Sequence, residues 1–278
     1  PYLLMERYLG LSQTFQNQAA RNIDDYLASG DALRLSSASQ SLESLLQHLD
    51  ELPADLAQNL RPSLVELERR QPDVMILQCR YMPSSIEEFE RIKRFSSARR
   101  IYEIDDYIID VPEKNAHRRN MPANMREMVS LGISLCDRVV VSTQPLADAL
   151  SSMHQDIRVV PNMLARSLWG GLQSQRQTSA RPRVGWAGGT SHRGDLELLA
   201  DVVRTLADQV DWVFFGMCPE VLQPYIKEYH PGVKLQLYPQ KLASLNLDLA
   251  LAPLEQNLFN DCKSNLRLLE YGACGYPV

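Results

Sequence analysis

The sequence lacks the features of membrane-spanning, secreted and polyanion-binding proteins. It has no apolar run of about 18 residues, the length that a membrane-spanning helix needs. It does not open with the basic, apolar and small residues of a signal peptide. Its 29 Lys and Arg against 34 Asp and Glu give a net charge of -5, which argues against general attraction to nucleic acid or anionic membranes. With 45% hydrophobic and 23% charged residues, the composition excludes a disordered chain and predicts a soluble globular protein.

The cysteines disfavour a disulfide framework and a zinc site. They number five, an odd count, and follow no metal-ligand spacing. Free thiols of this kind are typical of a reducing compartment, so a cytoplasmic location is expected. The cysteines are Cys79, Cys136, Cys218, Cys262 and Cys274.

Residues 1–72 differ in composition from the rest of the chain. They are rich in Leu, Gln, Ser and Ala, and they repeat apolar residues at helical spacing. Pro53 and Pro62 interrupt this pattern, so three or four helices are predicted. The segment carries no recognisable chemistry and is interpreted as an adaptor or as an extension of the next domain. A protein partner or a peripheral membrane contact is expected here rather than elsewhere in the chain.

From Asp73 onward, strand patterns alternate with helix patterns, which is typical of βαβ units and a parallel sheet. The predicted domains are an N-terminal Rossmann-like domain over 73–165, a linker over 166–182 and a C-terminal Rossmann-like domain over 183–278, both domains being expected to be incomplete. This α/β fold class places a ligand in the cleft between the two domains. One helix is predicted over 219–229. The predicted strands cover 74–79, 98–105, 137–143, 157–162, 183–188, 211–216, 233–239 and 247–251.

Acidic side chains cluster at the end of the predicted strand over 98–105. Glu103, Asp105 and Asp106 stand where the carboxyl end of a parallel strand faces the ligand crevice. Three roles are open to them: binding an acceptor hydroxyl, binding a metal, or capping the loop. A metal site is disfavoured because no second acidic cluster and no His at ligand spacing accompany them. Tyr107 and His117 are expected to line the same acceptor side.

A glycine-rich turn follows the first strand of the second domain. Glycines let the backbone approach a phosphate, and N–H groups at a helix start would face it. Two interpretations are open: a phosphate loop in which His192 and Arg193 contact a diphosphate, or a tight turn with both side chains in solvent. The turn does not match G-x-G-x-x-G, which disfavours a dinucleotide site. Its residues are Gly188, Gly189, Thr190, Ser191, His192, Arg193 and Gly194.

The strongest pattern lies at the start of the last helix, where Lys263, Ser264 and Asn265 stand together. A lysine charge, a hydroxyl and helix-end amides suit a leaving diphosphate. The alternative is an ordinary helix N-cap by Ser264. Glu270 lies further inside the same helix, where its carboxylate would suit ribose hydroxyls. The alternative for Glu270 is a plain surface glutamate.

The last segment resembles the donor-binding segment of GT-B glycosyltransferases, especially bacterial enzymes related to the large retaining family four. The family pattern is P-L-x-x-x-x-F-N-x-x-K-S-x-x-K-x-L-E-Y-x-A-x-G-x-P-V, and Arg267 stands where a Lys is common. The resemblance covers 73–278, weakly at first and strongly at the end, and leaves out 1–72. The matching residues are Pro253, Leu254, Phe259, Asn260, Lys263, Ser264, Leu269, Glu270, Tyr271, Ala273, Gly275, Pro277 and Val278.

This resemblance implies a GT-B-like fold and a nucleotide-sugar donor held mainly by the second domain. It gives Glu270 the ribose, and it gives Lys263 and Ser264 the diphosphate. Cys262 departs from the family, because an acid usually stands there, and this weakens the assignment of a carboxylate to the transferred sugar. The further donor-side residues are Gly188, Gly189, Thr190, His192, Arg193, Phe215, Gly216, Tyr238, Asn260 and Asn265. The expected catalytic residues are Lys263, Glu270, Asp105 and Asp106.

The resulting prediction is a bacterial, cytoplasmic glycosyltransferase. It would move a sugar from a UDP- or GDP-sugar, as substrate, to a glycan, lipid-linked or protein acceptor, with retention, and without a metal or other cofactor. Two other classes remain open. One is an NAD(P)-dependent oxidoreductase on the same type of sheet, and the other is a non-catalytic scaffold that binds a sugar nucleotide.

Overall fold

The computed structural model describes residues 64–175 and 180–278 of the chain. The chain divides into two compact units, Pro1–Glu66 and Leu67–Val278. The helical segment predicted over 1–72 therefore lies outside the described residues, apart from its last part, where a helix spans Leu64–Arg70. Within the described ranges, no helix combines the length and apolar character needed to cross a membrane.

The first half of the described chain contains a four-stranded parallel sheet in the order β1-β2-β3-β4. Its central strands bury alternate side chains, because successive residues of a strand project to opposite faces. Tyr102 and Ile104 of β2 and Val139 and Val141 of β3 are at most 1% exposed. The strands are β1 (Val74–Gln78), β2 (Arg99–Ile104), β3 (Arg138–Val141) and β4 (Ile157–Val159).

The second half contains another four-stranded parallel sheet, in the order β7-β6-β5-β8. The central strands β5 and β6 are nearly continuous apolar runs, which is typical of strands covered on both faces. Two parallel sheets with helices confirm the α/β prediction of two Rossmann-like halves. The strands are β5 (Arg183–Ala187), β6 (Asp211–Gly216), β7 (Glu228–Pro231) and β8 (Leu249–Ala250).

Helices pack against these sheets through their apolar faces. In the first half, Phe89 meets Tyr102 of β2 edge-on, with ring centroids 6.0 Å apart. Gly132 permits this close packing, since a Cβ there would lie 3.0 Å from Tyr102 Cε2. The helices are α1 (Leu64–Arg70), α2 (Pro83–Phe95), α3 (Met125–Ser134), α4 (Gln144–Leu150), α5 (Arg166–Trp169), α6 (Arg193–Glu197), α7 (Ala200–Thr205), α8 (Tyr238–Ala243), α9 (Leu258–Asp261) and α10 (Leu266–Ala273).

The strand predicted over 233–239 is wrong. A 3-10 turn spans Leu235–Leu237 and helix α8 follows at once, while the edge strand β7 lies earlier, in residues predicted as the end of a helix. The alternating apolar pattern favoured a strand, but Leu235 and Leu237 are 75% and 55% exposed, so no sheet face receives them. Pro239 suits the first turn of a helix, because its missing N–H is not needed there.

Tyr271 of α10 joins the ends of two neighbouring strands. Its hydroxyl accepts a hydrogen bond from Ala187 N at 3.0 Å and donates one to Leu251 O at 3.2 Å, and the residue is fully buried. We expect Tyr271→Phe to lower the free energy of unfolding by about 1–3 kcal/mol, because it leaves buried backbone groups unpaired. Urea unfolding measures this. Tyr229→Phe is the matched control, since Tyr229 is 51% exposed and should lose much less; equal losses would contradict the prediction.

Glu228 of β7 makes the second half sensitive to acid. The Arg183 guanidinium donates to both its carboxylate oxygens, at 2.7 and 3.0 Å, and these bonds lower the pKa of Glu228 from 4.5 to about 2. Because the folded-state pKa is depressed, this stabilisation is present above pH 4.5 and is lost as the pH falls towards 2. We expect Glu228→Gln to be less stable than the wild type at pH 6 and to converge with it towards pH 2. Thermal unfolding across this range tests it, and a constant difference would contradict it.

Candidate functional site

Two adjoining cavities lie at the carboxyl ends of the strands. The first, of about 420 Å³, is lined from both halves of the chain, and the second, of about 520 Å³, belongs mainly to the second half. They share Leu266, Arg267 and Glu270 of helix α10, which therefore forms the wall between them. Among the predicted site residues, the first cavity is lined by Asp105, Asp106, His192, Lys263, Ser264, Asn265 and Glu270. The second is lined by Gly188, Gly189, Thr190, Phe215, Gly216, Tyr238 and Glu270.

Lys263 is one of two permanently charged basic residues that line the first cavity, the other being Arg267. Its Nζ lies 3.9 Å from Asp106 Oδ1, which comes from the first sheet, and 4.4 Å from the centroid of the Phe259 ring. Burial raises the pKa of the Asp106 carboxyl, and the Lys263 charge opposes that shift. The pair therefore brings one group from each half of the chain to the same cavity, as the sequence placed them on opposite sides of a cleft.

Ser264 does not cap the last helix. Its Oγ accepts a hydrogen bond from Asn162 Nδ2 at 3.1 Å, while Asn265 occupies the N-cap position of α10 without a side-chain cap bond. The N-cap interpretation of Ser264 is therefore wrong. The first N–H groups of an α-helix have no partner within it, so this end of α10 offers donors and a partial positive charge beside Lys263.

Glu270 is not a plain surface residue. It lines both cavities, and its Oε2 accepts a hydrogen bond from the Tyr238 hydroxyl at 3.1 Å. Burial raises the pKa of the Glu270 carboxyl, and Arg267 and the Tyr238 hydroxyl act against it. Tyr238 stacks on Phe215 with ring centroids 5.4 Å apart and meets Trp169 edge-on at 6.0 Å. The second cavity thus has an aromatic end, with Glu270 where it joins the first.

The glycine turn lets the backbone pass very close to other groups. A side chain at Gly188 would collide with the Arg267 guanidinium and with Trp186. Gly216 has φ +92°, a conformation that favours glycine, and a Cβ there would collide with the Gly188 carbonyl oxygen. Gly189 has open space around it, so it is suited to a close approach by a ligand.

His192 and Asn260 meet on one buried carboxylate, Asp195. His192 Nδ1 lies 2.8 Å from Asp195 Oδ2, while Asn260 Nδ2 and Glu255 N donate to Oδ1 at 2.9 and 2.8 Å. Burial alone would raise the pKa of Asp195. The hydrogen bonds have the larger effect, so the pKa of Asp195 lies below its usual value. Asn260, itself only 6% exposed, therefore braces the site and lines neither cavity.

The structure does not bring Arg193 to the cavities. Its guanidinium pairs with Glu197 at 3.0 Å and with Glu220 at 3.7 Å, and its side chain is half exposed. The Glu197 carboxylate also receives Lys114 of the first half at 2.8 Å. Arg193 thus belongs to a surface ion-pair network.

Only some of the predicted acceptor-side residues lie at the cavities. Asp105 and Asp106 line the first cavity, whereas Glu103 lies within β2 and lines none of the cavities. Tyr107 is 3% exposed and its hydroxyl accepts from Arg126, so it is part of the core. His117 lies in a 3-10 helix over Ala116–Asn120 and is not among the residues that line the two joined cavities. A third cavity, of about 760 Å³, lies beside the first sheet and shares no lining residue with the other two.

Arg267 is the cavity residue that the sequence predictions left out of the site. It lines both cavities, its Nη2 lies 3.4 Å from His192 Nε2, and its guanidinium carbon lies 5.2 Å from the centroid of the Trp186 ring. Its Nη1 is buried and has no hydrogen-bond partner in the described part of the chain. The spacing of Arg267 and Glu270, three residues apart on α10, was the available signal, because such residues share a helix face.

The described ranges contain no cluster of potential metal ligands. No group of three or more His, Cys, Asp or Glu residues in them is placed to hold a metal ion. The cysteines are all free thiols, and Cys262 and Cys274 are buried. Cys262 contributes its backbone carbonyl, which accepts from Thr143 Oγ1 at 2.7 Å and links the two halves.

The chain is similar to known proteins over only part of their length. No family model matches the chain. It is similar to the methyl-accepting chemotaxis protein CtpL of Pseudomonas aeruginosa, 58% identical over 67 residues, which are 24% of this chain and 10% of that protein.

Two solved structures are similar at low identity. One is "lipopolysaccharide outer core galactosyltransferase WaaB apo form", with a TM-score of 0.46 and 16% identity over 77% of this chain and 57% of that one. The other is "Glycosylation Associate Protein (Gap123) complex from Streptococcus agalactiae", with a TM-score of 0.42 and 9% identity over 77% and 43%. The chain thus spans a tenth of the chemotaxis protein and about half of each solved chain.

Proposed function

We propose that this chain carries the donor site of a glycosyltransferase. The observation that carries the proposal is the order of chemistry along the two joined cavities: aromatic rings at one end, Glu270 at the junction, and Lys263 with the start of α10 at the other end. A nucleotide-diphosphate sugar has the same order, from a flat base through ribose hydroxyls to two phosphates. Stacking, carboxylate–hydroxyl hydrogen bonds and charge-assisted contacts are the matching interactions.

Each part of the donor has an assigned partner in this proposal. The base lies against Phe215 and Tyr238, the ribose bonds to Glu270, and the diphosphate lies against Lys263 and Ser264. The donors at the phosphate end stabilise the charge that develops on the leaving nucleotide, which is the main electrostatic task in such a transfer. UDP- and GDP-sugars are the proposed substrates.

Asp105 and Asp106 form the acceptor side of the proposal. They belong to the first sheet but line the same cavity as Lys263, so an acceptor hydroxyl held there would face the donor sugar. The resemblance to family four implies retention of configuration. An inverting transfer would need a base, and Asp106, whose pKa burial raises, is the candidate. The anomeric configuration of the first product, read by NMR, separates the two outcomes.

A ligand screen tests the donor proposal. We expect UDP or GDP, among UDP, GDP, ADP and CMP, to raise the melting temperature and to give a measurable affinity by calorimetry, with NADH giving none. Transfer or hydrolysis of the matching nucleotide sugars then tests catalysis. Binding without turnover would favour the non-catalytic scaffold, and a response to NADH alone would favour the oxidoreductase. No response to any nucleoside diphosphate would refute the donor site.

A further inference from the structure

The guanidinium of Arg267 is held in place from one side and free on the other. Its Nη2 reaches His192 Nε2 at 3.4 Å, and its plane lies near the Trp186 ring. Its Nη1 is buried without a protein partner in the described ranges, although the residue lines both cavities. A buried N–H group without an acceptor is costly, so a ligand oxygen that accepts from it gains more than one that meets an exposed arginine.

The proton on His192 can be assigned from its neighbours. Arginine has only donors, so a hydrogen bond across the 3.4 Å contact with Arg267 requires His192 Nε2 to accept. Nδ1 then carries the proton and donates to Asp195 Oδ2 at 2.8 Å. This Nδ1–H tautomer is the one that the Asp195 carboxylate behind the ring favours. It differs from the interpretation in which His192 itself contacts a diphosphate.

The residues behind His192 are buried and hydrogen-bonded to one another. Asp195 is 5% exposed and is also held by Asn260 Nδ2 and Glu255 N. The imidazole meets Trp186 edge-on, with centroids 5.8 Å apart. Because each member is fixed by another, the direction of the Arg267 guanidinium is set before any ligand arrives, which lowers the entropic cost of binding.

We propose that His192, set by Asp195, is a positioning residue for Arg267, and that the free Nη1–H of Arg267 donates to a phosphate oxygen of the ligand. The inference rests on the proposed function, because it adds Arg267 to Lys263 and Ser264 as a group that binds the phosphate part of the nucleotide. His192 acts only through Arg267 and does not touch the ligand. A phosphate is the fitting class, since the neighbouring Lys263 adds a second cation to the same cavity.

A double-mutant cycle tests this arrangement. The variants are His192→Phe, which keeps a ring against Trp186, His192→Gln, whose Oε1 can replace Nε2 as acceptor, Arg267→Met and the double variant His192→Phe/Arg267→Met. Calorimetry measures the affinity for UDP or GDP, whichever binds more tightly, and for inorganic pyrophosphate. Arg204→Ala is the control, since Arg204 lies on α7 and pairs with Asp201 at the surface.

We expect Arg267→Met to weaken binding of the diphosphates about 10- to 100-fold, the usual value of a charge-assisted hydrogen bond. His192→Phe should weaken it less, His192→Gln should recover part of the loss, and the double variant should bind as Arg267→Met does. The affinity for the free nucleoside should stay unchanged in all of them. Thermal unfolding of each variant separates lost binding from lost folding, and Arg267→Lys replaces Arg267→Met if the latter does not fold.

Three results would overturn the inference: wild-type affinity in Arg267→Met, additive losses in the double variant, or no recovery in His192→Gln. Additive losses would mean that His192 contacts the ligand directly. If the wild type binds no nucleoside diphosphate, the proposed function fails separately. Pyrophosphate binding that depends on Arg267 and His192 in the same non-additive way would then still support the positioning role, and its absence would refute it.

Discussion

Lys263→Met is expected to lower the rate of sugar transfer about 10²- to 10³-fold, the usual cost of removing one group that stabilises a developing anion. The methionine is close to lysine in size and can still pack its apolar end on Phe259, so the loss comes mainly from the charge. Steady-state kinetics with the matching nucleotide sugar measures it, and calorimetry with the nucleoside diphosphate measures the part that is ground-state binding.

The control for this variant is Lys227→Met, because Lys227 is an exposed lysine of the same half that lines neither cavity. Its kinetics should match the wild type. Wild-type turnover in Lys263→Met would contradict the assignment of Lys263 to the leaving diphosphate. A loss of turnover that is matched by a loss of folding would also contradict it, and thermal unfolding shows which has occurred.

Glu270→Ala is expected to weaken nucleoside diphosphate binding about 100-fold, because a carboxylate that accepts from ribose hydroxyls contributes roughly 1.5–3 kcal/mol for each hydrogen bond. The Tyr238 hydroxyl also loses its acceptor in this variant. Calorimetry measures the effect. Glu220→Ala, at an 85% exposed side chain of the same half, is the matched control and should bind as the wild type does.

A 2′-deoxy nucleoside diphosphate shows whether the ribose is the partner of Glu270. The wild type should prefer the ribonucleotide, and Glu270→Ala should bind both forms equally, since the hydroxyl no longer has its acceptor. If the variant kept the full preference, the ribose would be bound elsewhere and Glu270 would act mainly on Tyr238. The experiment therefore separates a direct contact from an effect on the aromatic end.

Local patterns predicted most of the strands and their order in the chain, because buried parallel strands are short apolar runs with clear ends. They failed at 233–239, where the pattern alternates correctly but no neighbouring strand is available to pair with it. Whether an alternating segment becomes a strand depends on a partner that is distant in sequence. The short β7 was missed for the same reason, since only its pairing with β6 makes it a strand.

In the candidate site, too, some features follow from the local sequence and others only from the tertiary structure. The sequence by itself determined that Arg267 and Glu270 share a face of the last helix and that Lys263 stands just before its start, because the spacing of residues on a helix is a local property. Only the tertiary structure decided which side chains meet there. It brought Asp106 to Lys263 across the cleft and turned Arg193 towards Glu197.

The tertiary structure also gave His192 partners that no local pattern shows. The sequence supports a histidine near phosphate, but it cannot show that Asp195 lies on one side of the ring and Arg267 on the other. His192 and Arg267 are 75 residues apart in the chain, so no local pattern joins them. The glycine-rich turn and the last helix were each recognisable from sequence. Their contact, and the buried guanidinium it orients, exist only because the sheet of the second half places both elements at the carboxyl ends of its strands.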